Sequence, residues 1–147
     1  MTAEEMASLL KERGLRLTAP RWAILRYLEG NDRHPSAQDI YEDLKKDYPG
    51  LSPATVYSTL GILEELGCIV ALGPGPKGIR YDADPKPHVN LVCRQCGQVM
   101  DMEEDHLARL VEEAAMKAGF SISQVTIQAQ GLCRSCAALL EREVQEV

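Results

Sequence analysis

Aromatic residues are scarce in this chain: one Trp, one Phe and five Tyr make up 5% of its 147 residues. A core must therefore come mainly from Leu, Ile, Val and Ala. No apolar run approaches the roughly 20 residues that a membrane-spanning helix requires, so no membrane partner is expected. Histidine is rarer still. His34, His88 and His106 are the full complement, and any imidazole site must draw on them. A basic excess is also lacking: the net charge is −6. That argues against a non-specific nucleic-acid coat protein, but a sequence-specific binder needs positive potential only at its docking face. The opening MTAEEMASLLKER is amphipathic and acidic, unlike a secretory leader, and a cytoplasmic protein is expected.

What is present is strongly punctuated. AEEMASLLKERG carries Met6, Leu9 and Leu10 at helical spacing and stops at Gly14. TAPRWAILRYLEG follows, with Thr18 placed as N-cap and Ile24, Leu25 and Leu28 as its apolar stripe. SAQDIYEDLKKDYPG starts at Ser36, repeats Ile40, Tyr41 and Leu44, and ends at Pro49 and Gly50. SPATVYSTLGILEELG has Ser52 as N-cap and Pro53 at the first helical position. Its inward residues are Val56, Leu60 and Leu63, and Gly67 closes it. CIVALGPGPKGIRYD then reads as a hairpin around a Gly/Pro turn. Short helices followed by a hairpin describe a winged helix-turn-helix, expected over residues 1–82.

The Pro-rich DADPKP marks a hinge, 83–88. Residues 89–147 alternate strand, cysteine knuckle, strand, helix (EEDHLARLVEEAAMKAG), strand (FSISQVTIQAQ), knuckle and terminal helix (AALLEREVQEV). The expected class is α+β, a winged helix followed by a small α/β domain.

Four of the five cysteines form two C-x-x-C pairs, Cys93/Cys96 and Cys133/Cys136, with 36 residues between them. In a reducing cytosol this spacing favours metal over disulfides. Each pair can offer two thiolates at about 2.3 Å to a tetrahedral ion; four satisfy Zn²⁺ and leave no open position. One structural Zn²⁺ per chain is expected, supplying folding free energy to a domain of about 60 residues. Redox dithiols or a rubredoxin-like iron site are the alternatives. A redox pair stands alone at a helix N-terminus beside a strand, so two pairs flanking β-segments fit zinc better. Cys68, at the start of an apolar run, reads as a small buried hydrophobe.

A looser set lies beside the knuckle. His88 and Asn90 share one strand face by the period of two, and the knuckle folds Asp101 back against that face. His34 sits before the third helix, and Asp82 closes the hairpin. Two imidazoles, two carboxylates and one amide form a mixed N/O donor set that suits Fe²⁺ or Mn²⁺ by hardness, with Zn²⁺ as a competitor. An ion drawing ligands from both domains would fix their relative orientation and so link metal concentration to DNA affinity. His106, within EEDHLAR, reads as a solvated helix residue.

A recognition helix presents its N-terminal residues to the major groove, here Ala54, Thr55, Tyr57, Ser58 and Thr59. That helix has no Lys or Arg, so phosphate neutralisation falls to Lys11–Arg26, where five bases accompany one acid, Glu12. The alternative for this stretch is an ordinary solvated face. Arg16 suits a minor groove, and Thr and Tyr suit thymine methyls at A·T-rich sites.

GLRLTAPRWAILRYL, HPSAQDIY, SPATVYSTLGILEELG, RYD and VNLVCRQCG run in order across roughly residues 10–140. Together they closely resemble the Fur family of metal-responsive transcriptional regulators. The resemblance implies a cytoplasmic homodimer with a C-terminal dimerisation domain. When metal-loaded it would bind near-palindromic A·T-rich double-stranded DNA operators, usually as a repressor. It puts the structural zinc on Cys93, Cys96, Cys133 and Cys136, and the regulatory metal on His34, Asp82, His88, Asn90 and Asp101. It makes Tyr57 the base reader and Arg16 the minor-groove residue. Thr18, Arg21, Thr55 and Ser58 complete the expected DNA-contacting set.

Some positions depart from the family pattern. TAPR replaces the usual TPQR, and Asn90 stands where a histidine is usual. Pro87, Val89 and Val125 occupy ligand positions of a further metal site, which is therefore expected to be absent. Asp101 and Ser58 stand where iron-uptake regulators more often carry Glu and Arg, a pattern similar to peroxide-sensing members. In that branch Fe²⁺ reacts with H₂O₂ and a histidine ligand is oxidised; His34 and His88 would be the candidates. An iron- or manganese-responsive repressor without peroxide chemistry is the alternative, and a zinc-ribbon interaction module a distant one. No nucleophile–base pair is visible and the best metal site is closed, so no enzyme is expected.

Overall fold

The structure, a computed structural model, describes residues 1–84, 86 and 88–146. Pro85 and Pro87 of the expected hinge, and Val147, lie outside the described residues. The chain divides into two compact units: Met1–Ala71 with Ile79–Pro85, and Leu72–Gly78 with Lys86–Val147.

The first unit holds helices α1 (Ala3–Glu12), α2 (Ala19–Leu28), α3 (Ala37–Leu44) and α4 (Pro53–Glu65). Each starts at a hydroxyl side chain that accepts a bond from the first-turn backbone: Thr2, Thr18, Ser36 and Ser52. Such caps satisfy N–H groups that no helical carbonyl can reach, worth roughly 1 kcal/mol each. Ser36 and Asp39 close a reciprocal capping box, at 2.9 and 3.1 Å. Helix α3 stops at Leu44, earlier than its sequence suggested, because Asp47 and Tyr48 both direct their N–H groups at the Leu44 carbonyl and curl the chain into a turn.

Spacing by three and four aligns Met6 and Leu10, Ile24 and Leu28, and Val56, Leu60 and Leu63 on inward faces. All of them are buried in one cluster with Ile40, Leu51 and Ile69. Leu9, Tyr41 and Leu44, also expected inside, pack against its margin and stay partly exposed. Cys68 is buried there, as expected.

After α4 the chain forms a hairpin, β1 (Val70–Gly75) and β2 (Gly78–Asp82). The root of β2 is tied to the loop preceding α3: the Tyr81 N–H donates to the Pro35 carbonyl at 2.9 Å, and Ser36 and Arg80 form an isolated antiparallel bridge. Helix-turn-helix and hairpin together are a winged helix.

The second unit contains β3 (His88–Cys93), β4 (Val99–Glu103), α5 (Asp105–Lys117), β5 (Ile127–Gly131) and α6 (Arg134–Gln145). The sheet order is β4-β3-β5, with β3 antiparallel to β4 and parallel to β5. The parallel pairing needs a crossover, and α5 lies in it. The strand expected from residue 120 begins at Ile127. Strand β3 begins at His88 and its pairing with β5 at Val89, opposite Ile127. Helix α6 begins earlier than expected, placing Cys136 in its first turn. Mixed helix and small sheets make the class α+β. Among the described residues no helix is long and apolar enough to cross a membrane.

Candidate metal centres and DNA-facing helix

The two knuckles converge because β3 and β5 run parallel and in register, with Cys93 opposite Gly131. Both strands deliver their cysteines at the same end of the sheet. The first turn is tight: the Gly97 N–H returns to the Cys93 carbonyl at 3.0 Å, with Gly97 at φ +78°. One ligand sulfur from each of Cys93, Cys96, Cys133 and Cys136 lies within 4.8 Å of the others. A tetrahedron with metal–sulfur bonds near 2.3 Å has edges of about 3.8 Å. Cys96 Sγ and Cys133 Sγ are 3.8 Å apart.

Electrostatics favour a cation at this cluster. Backbone N–H groups of Cys96 and Cys133 hold the Cys93 thiol down to about 6, the latter donating to Sγ at 3.3 Å. The Cys136 thiol is pushed up to about 12, chiefly by its hydrogen bond with Cys133. Crowded thiols resist ionising together, and a divalent ion removes that obstacle. The residues fit zinc: four sulfurs and no open position.

The expected regulatory donors fall into two groups. In the first unit His34 and Asp82 are both buried, with ligand atoms within 4.8 Å of one another. The Asp82 carboxylate is oriented by the Asp84 N–H, at 2.8 Å. His34 adopts φ +51°, and Arg80 Nη1 donates to its carbonyl oxygen at 3.1 Å.

In the second unit His88 Nδ1 donates to the Lys86 carbonyl at 2.6 Å. That bond fixes the neutral tautomer and leaves Nε2 as the ligating nitrogen. Nε2 lies 3.9 Å from Asp101 Oδ1. Asn90 pairs directly with Asp101 across the ladder and is 2% exposed. Its Oδ1 is buried with no hydrogen-bond partner among the described residues. A buried carbonyl oxygen without a donor is costly, and a cation resolves it. His106 is exposed, as expected.

Along α4, Tyr57 is 60% exposed and Ser58 is exposed beside it. Thr55 is half-buried, its hydroxyl 3.0 Å from that of Ser52. Thr59 corrects the sequence reading: it is buried, and its hydroxyl donates to the Thr55 carbonyl at 2.7 Å. Its position beside Leu60 on the inward stripe could have signalled this. Arg16 is exposed in the loop between α1 and α2. Arg21 Nη1 donates to the Arg16 carbonyl at 2.7 Å, while Thr18 Oγ1 caps α2. Both brace Arg16. Arg26 is engaged by Glu4 and Glu29, each at 3.7 Å, which weakens the basic stretch at its far end. Arg80 and Asp84, the hydrogen-bond partners of His34 and Asp82, were missed. The period of two in RYD, which puts Arg80 on the face of Asp82, was the available signal.

A winged helix on one chain with a closed four-thiolate site and separate His/carboxylate donors defines a metal-binding protein of the winged-helix class. The match is specific: the ferric uptake regulator family covers residues 12–130, and the chain belongs to that family. It is 32% identical over 133 residues to the peroxide-responsive repressor PerR of Staphylococcus aureus, covering 90% of each chain. The Campylobacter jejuni peroxide stress regulator is 29% identical with TM-score 0.69, over 88% of this chain and 98% of that one. The Pseudomonas aeruginosa ferric uptake regulator, solved with manganese, is 27% identical with TM-score 0.72 and the same coverage. The Helicobacter pylori ferric uptake regulator, 21% identical over 93% and 95% of the chains, shares the fold at TM-score 0.73.

Proposed function

We propose that this protein is a metal-dependent transcriptional repressor that senses peroxide through oxidation of a histidine ligand. The observation that carries the reading is that each unit brings a candidate imidazole and a carboxylate together: His34 with Asp82, and His88 with Asp101. Each pair offers too few donors to close the shell of a hard divalent ion, whereas both pairs and Asn90 supply five. We therefore assign His34, Asp82, His88, Asn90 and Asp101 to one exchangeable Fe²⁺ or Mn²⁺, and the four cysteines to the structural Zn²⁺. An Fe²⁺ held there would supply the electron that starts reduction of H₂O₂. The net change would be transfer of one oxygen atom from H₂O₂ to the His34 or His88 imidazole, a two-electron oxidation that leaves water, and the oxidised ring would be a poorer donor. Losing one donor would release the ion and with it the DNA. The relatives named for peroxide response support this choice.

Residues 1–82 form the DNA-binding part in this reading, 83–88 the hinge, and 89–147 the dimerisation and metal-binding part. Tyr57, Ser58 and Thr55 face an A·T-rich near-palindromic operator, with Thr18 at the start of the same surface, and Arg16, held by Arg21, enters a minor groove. The protein acts in the cytoplasm as a homodimer. Support for dimerisation comes from apolar side chains on the second unit, with Phe120 69%, Val144 72% and Met116 75% exposed.

The test is to load Fe²⁺, add dilute H₂O₂ and map modified peptides by mass spectrometry, with Mn²⁺-loaded protein as the resistant control. Oxygen gain at His34 or His88 with loss of operator binding is expected. Both histidines unmodified while DNA binding persists would leave an iron- or manganese-responsive repressor without peroxide chemistry, a reading that the manganese-bound relative supports.

A further inference from the structure

His34 is the non-glycine residue with positive φ among the described residues, at +51°. An L-residue stays in the left-handed region when its surroundings hold it there. What holds His34 lies in the same unit. Arg80 Nη1 donates to the His34 carbonyl at 3.1 Å. The two residues after His34 are fastened to β2 as well: Pro35 accepts at its carbonyl from the Tyr81 N–H at 2.9 Å, and Ser36 forms an isolated bridge with Arg80. Two residues beyond Arg80, on the same face of β2, is Asp82, whose carboxylate lies within 4.8 Å of the His34 imidazole. One strand thus grips the backbone of the first donor and carries the second.

Resting on the regulatory-metal reading above, the geometry points to Arg80 as a positioning residue for that metal. Its guanidinium fixes His34 in the left-handed conformation, so that the imidazole and the Asp82 carboxylate face one cation from a common support. Arg80 touches no metal itself. Because it sits on the second strand of the wing, occupation of the His34–Asp82 pair and the placement of β2 become a single equilibrium.

A charge-only role makes the opposite prediction. If the positive charge of Arg80 merely opposed a nearby cation, removing it would tighten metal binding. Full-length zinc-replete protein, without DNA, should be titrated with Mn²⁺ for wild type, Arg80→Met, Arg80→Lys and His34→Ala. Arg80→Met is expected to weaken Mn²⁺ roughly ten- to hundredfold, the range for residues that orient metal ligands, and Arg80→Lys by less, since an ammonium can still donate to the carbonyl. In metal-free protein, amide exchange at Tyr81 should quicken in Arg80→Met. Unchanged or tighter Mn²⁺ binding in folded Arg80→Met, with His34→Ala weakened, overturns the positioning role alone. Wild-type affinity in His34→Ala overturns the metal reading beneath it. Should Arg80→Met not fold, Arg80→Lys decides: a partial loss supports the role, and none overturns it.

Discussion

Asn90 stands directly opposite Asp101 across the antiparallel β3–β4 ladder, an amide facing a carboxylate. Side chains so opposed lie about 5 Å apart at Cβ, close enough to share one cation. The neutral amide leaves the site's charge as a histidine would, but its oxygen is a harder and weaker donor than imidazole. Asn90→His should therefore raise affinity for Zn²⁺ more than for Mn²⁺ or Fe²⁺ and slow exchange of the regulatory ion. Competition titrations check this; unchanged affinities for all three ions would remove Asn90 from the ligand set.

Zinc removal should act on the second unit selectively. Structural zinc contributes about 10–16 kcal/mol in small zinc domains, more than such a unit can lose and stay folded. Cys133→Ser should lower zinc from one per chain to near zero and abolish protease resistance after Lys86. The first unit, with its own core around Leu60 and Ile24, should keep its helical signal. Metal analysis with limited proteolysis reads both. Full zinc retention in the variant would count against a four-thiolate site.

Two residues assigned to DNA in the proposed function should fail differently. Arg16→Glu places a negative charge against phosphate and should weaken all duplexes alike, with a smaller salt slope. Tyr57→Ala should instead lower discrimination between operator and random DNA by about 1–3 kcal/mol. Tyr57 is mostly exposed, so folding stability should hold. Equal loss on both DNAs for Tyr57→Ala would show that it does not read bases.

Tyr27 offers a test by alkali. Burial, then its hydrogen bond to Asp43 at 2.6 Å, pushes its phenol up to about 12 from an ordinary 10. Between these values the unfolded chain loses the proton and the folded chain keeps it, so stability falls as pH rises. The contribution is complete below pH 10 and gone above 12. Tyr27→Phe should flatten the stability curve in that window and leave its shape below pH 9 alone. Denaturant unfolding at stepped pH gives the comparison.

Local punctuation explains what could be read from sequence. Thr18, Ser36 and Ser52 cap helices because a hydroxyl before a helical run has few other uses, and the two C-x-x-C pairs fix a tetrahedral site by ligand count. What escaped depends on partners distant in sequence. Nothing local tells β5 to run parallel to β3, or to begin at Ile127. Thr59 looks polar until Val56, Leu60 and Leu63 are seen packing around its turn. The left-handed backbone of His34 has no signal in HPSAQ. It is imposed from β2, 46 residues away.

Strand β3 carries His88 and Asn90 near its start and Cys93 at its end. At about 3.3 Å per residue, Asn90 lies roughly 10 Å from the thiolate cluster along a rigid backbone. The strand is aligned with β5, Cys93 opposite Gly131, so a zinc clasping the cysteines at that end would hold the register that places His88 and Asn90. On the proposed assignment of His88 and Asn90, loading should therefore have an order: zinc first, with a zinc-free chain expected to bind the second ion weakly. Thiol damage at the far end of one strand should then weaken the proposed second site, whose donors contain no sulfur at all.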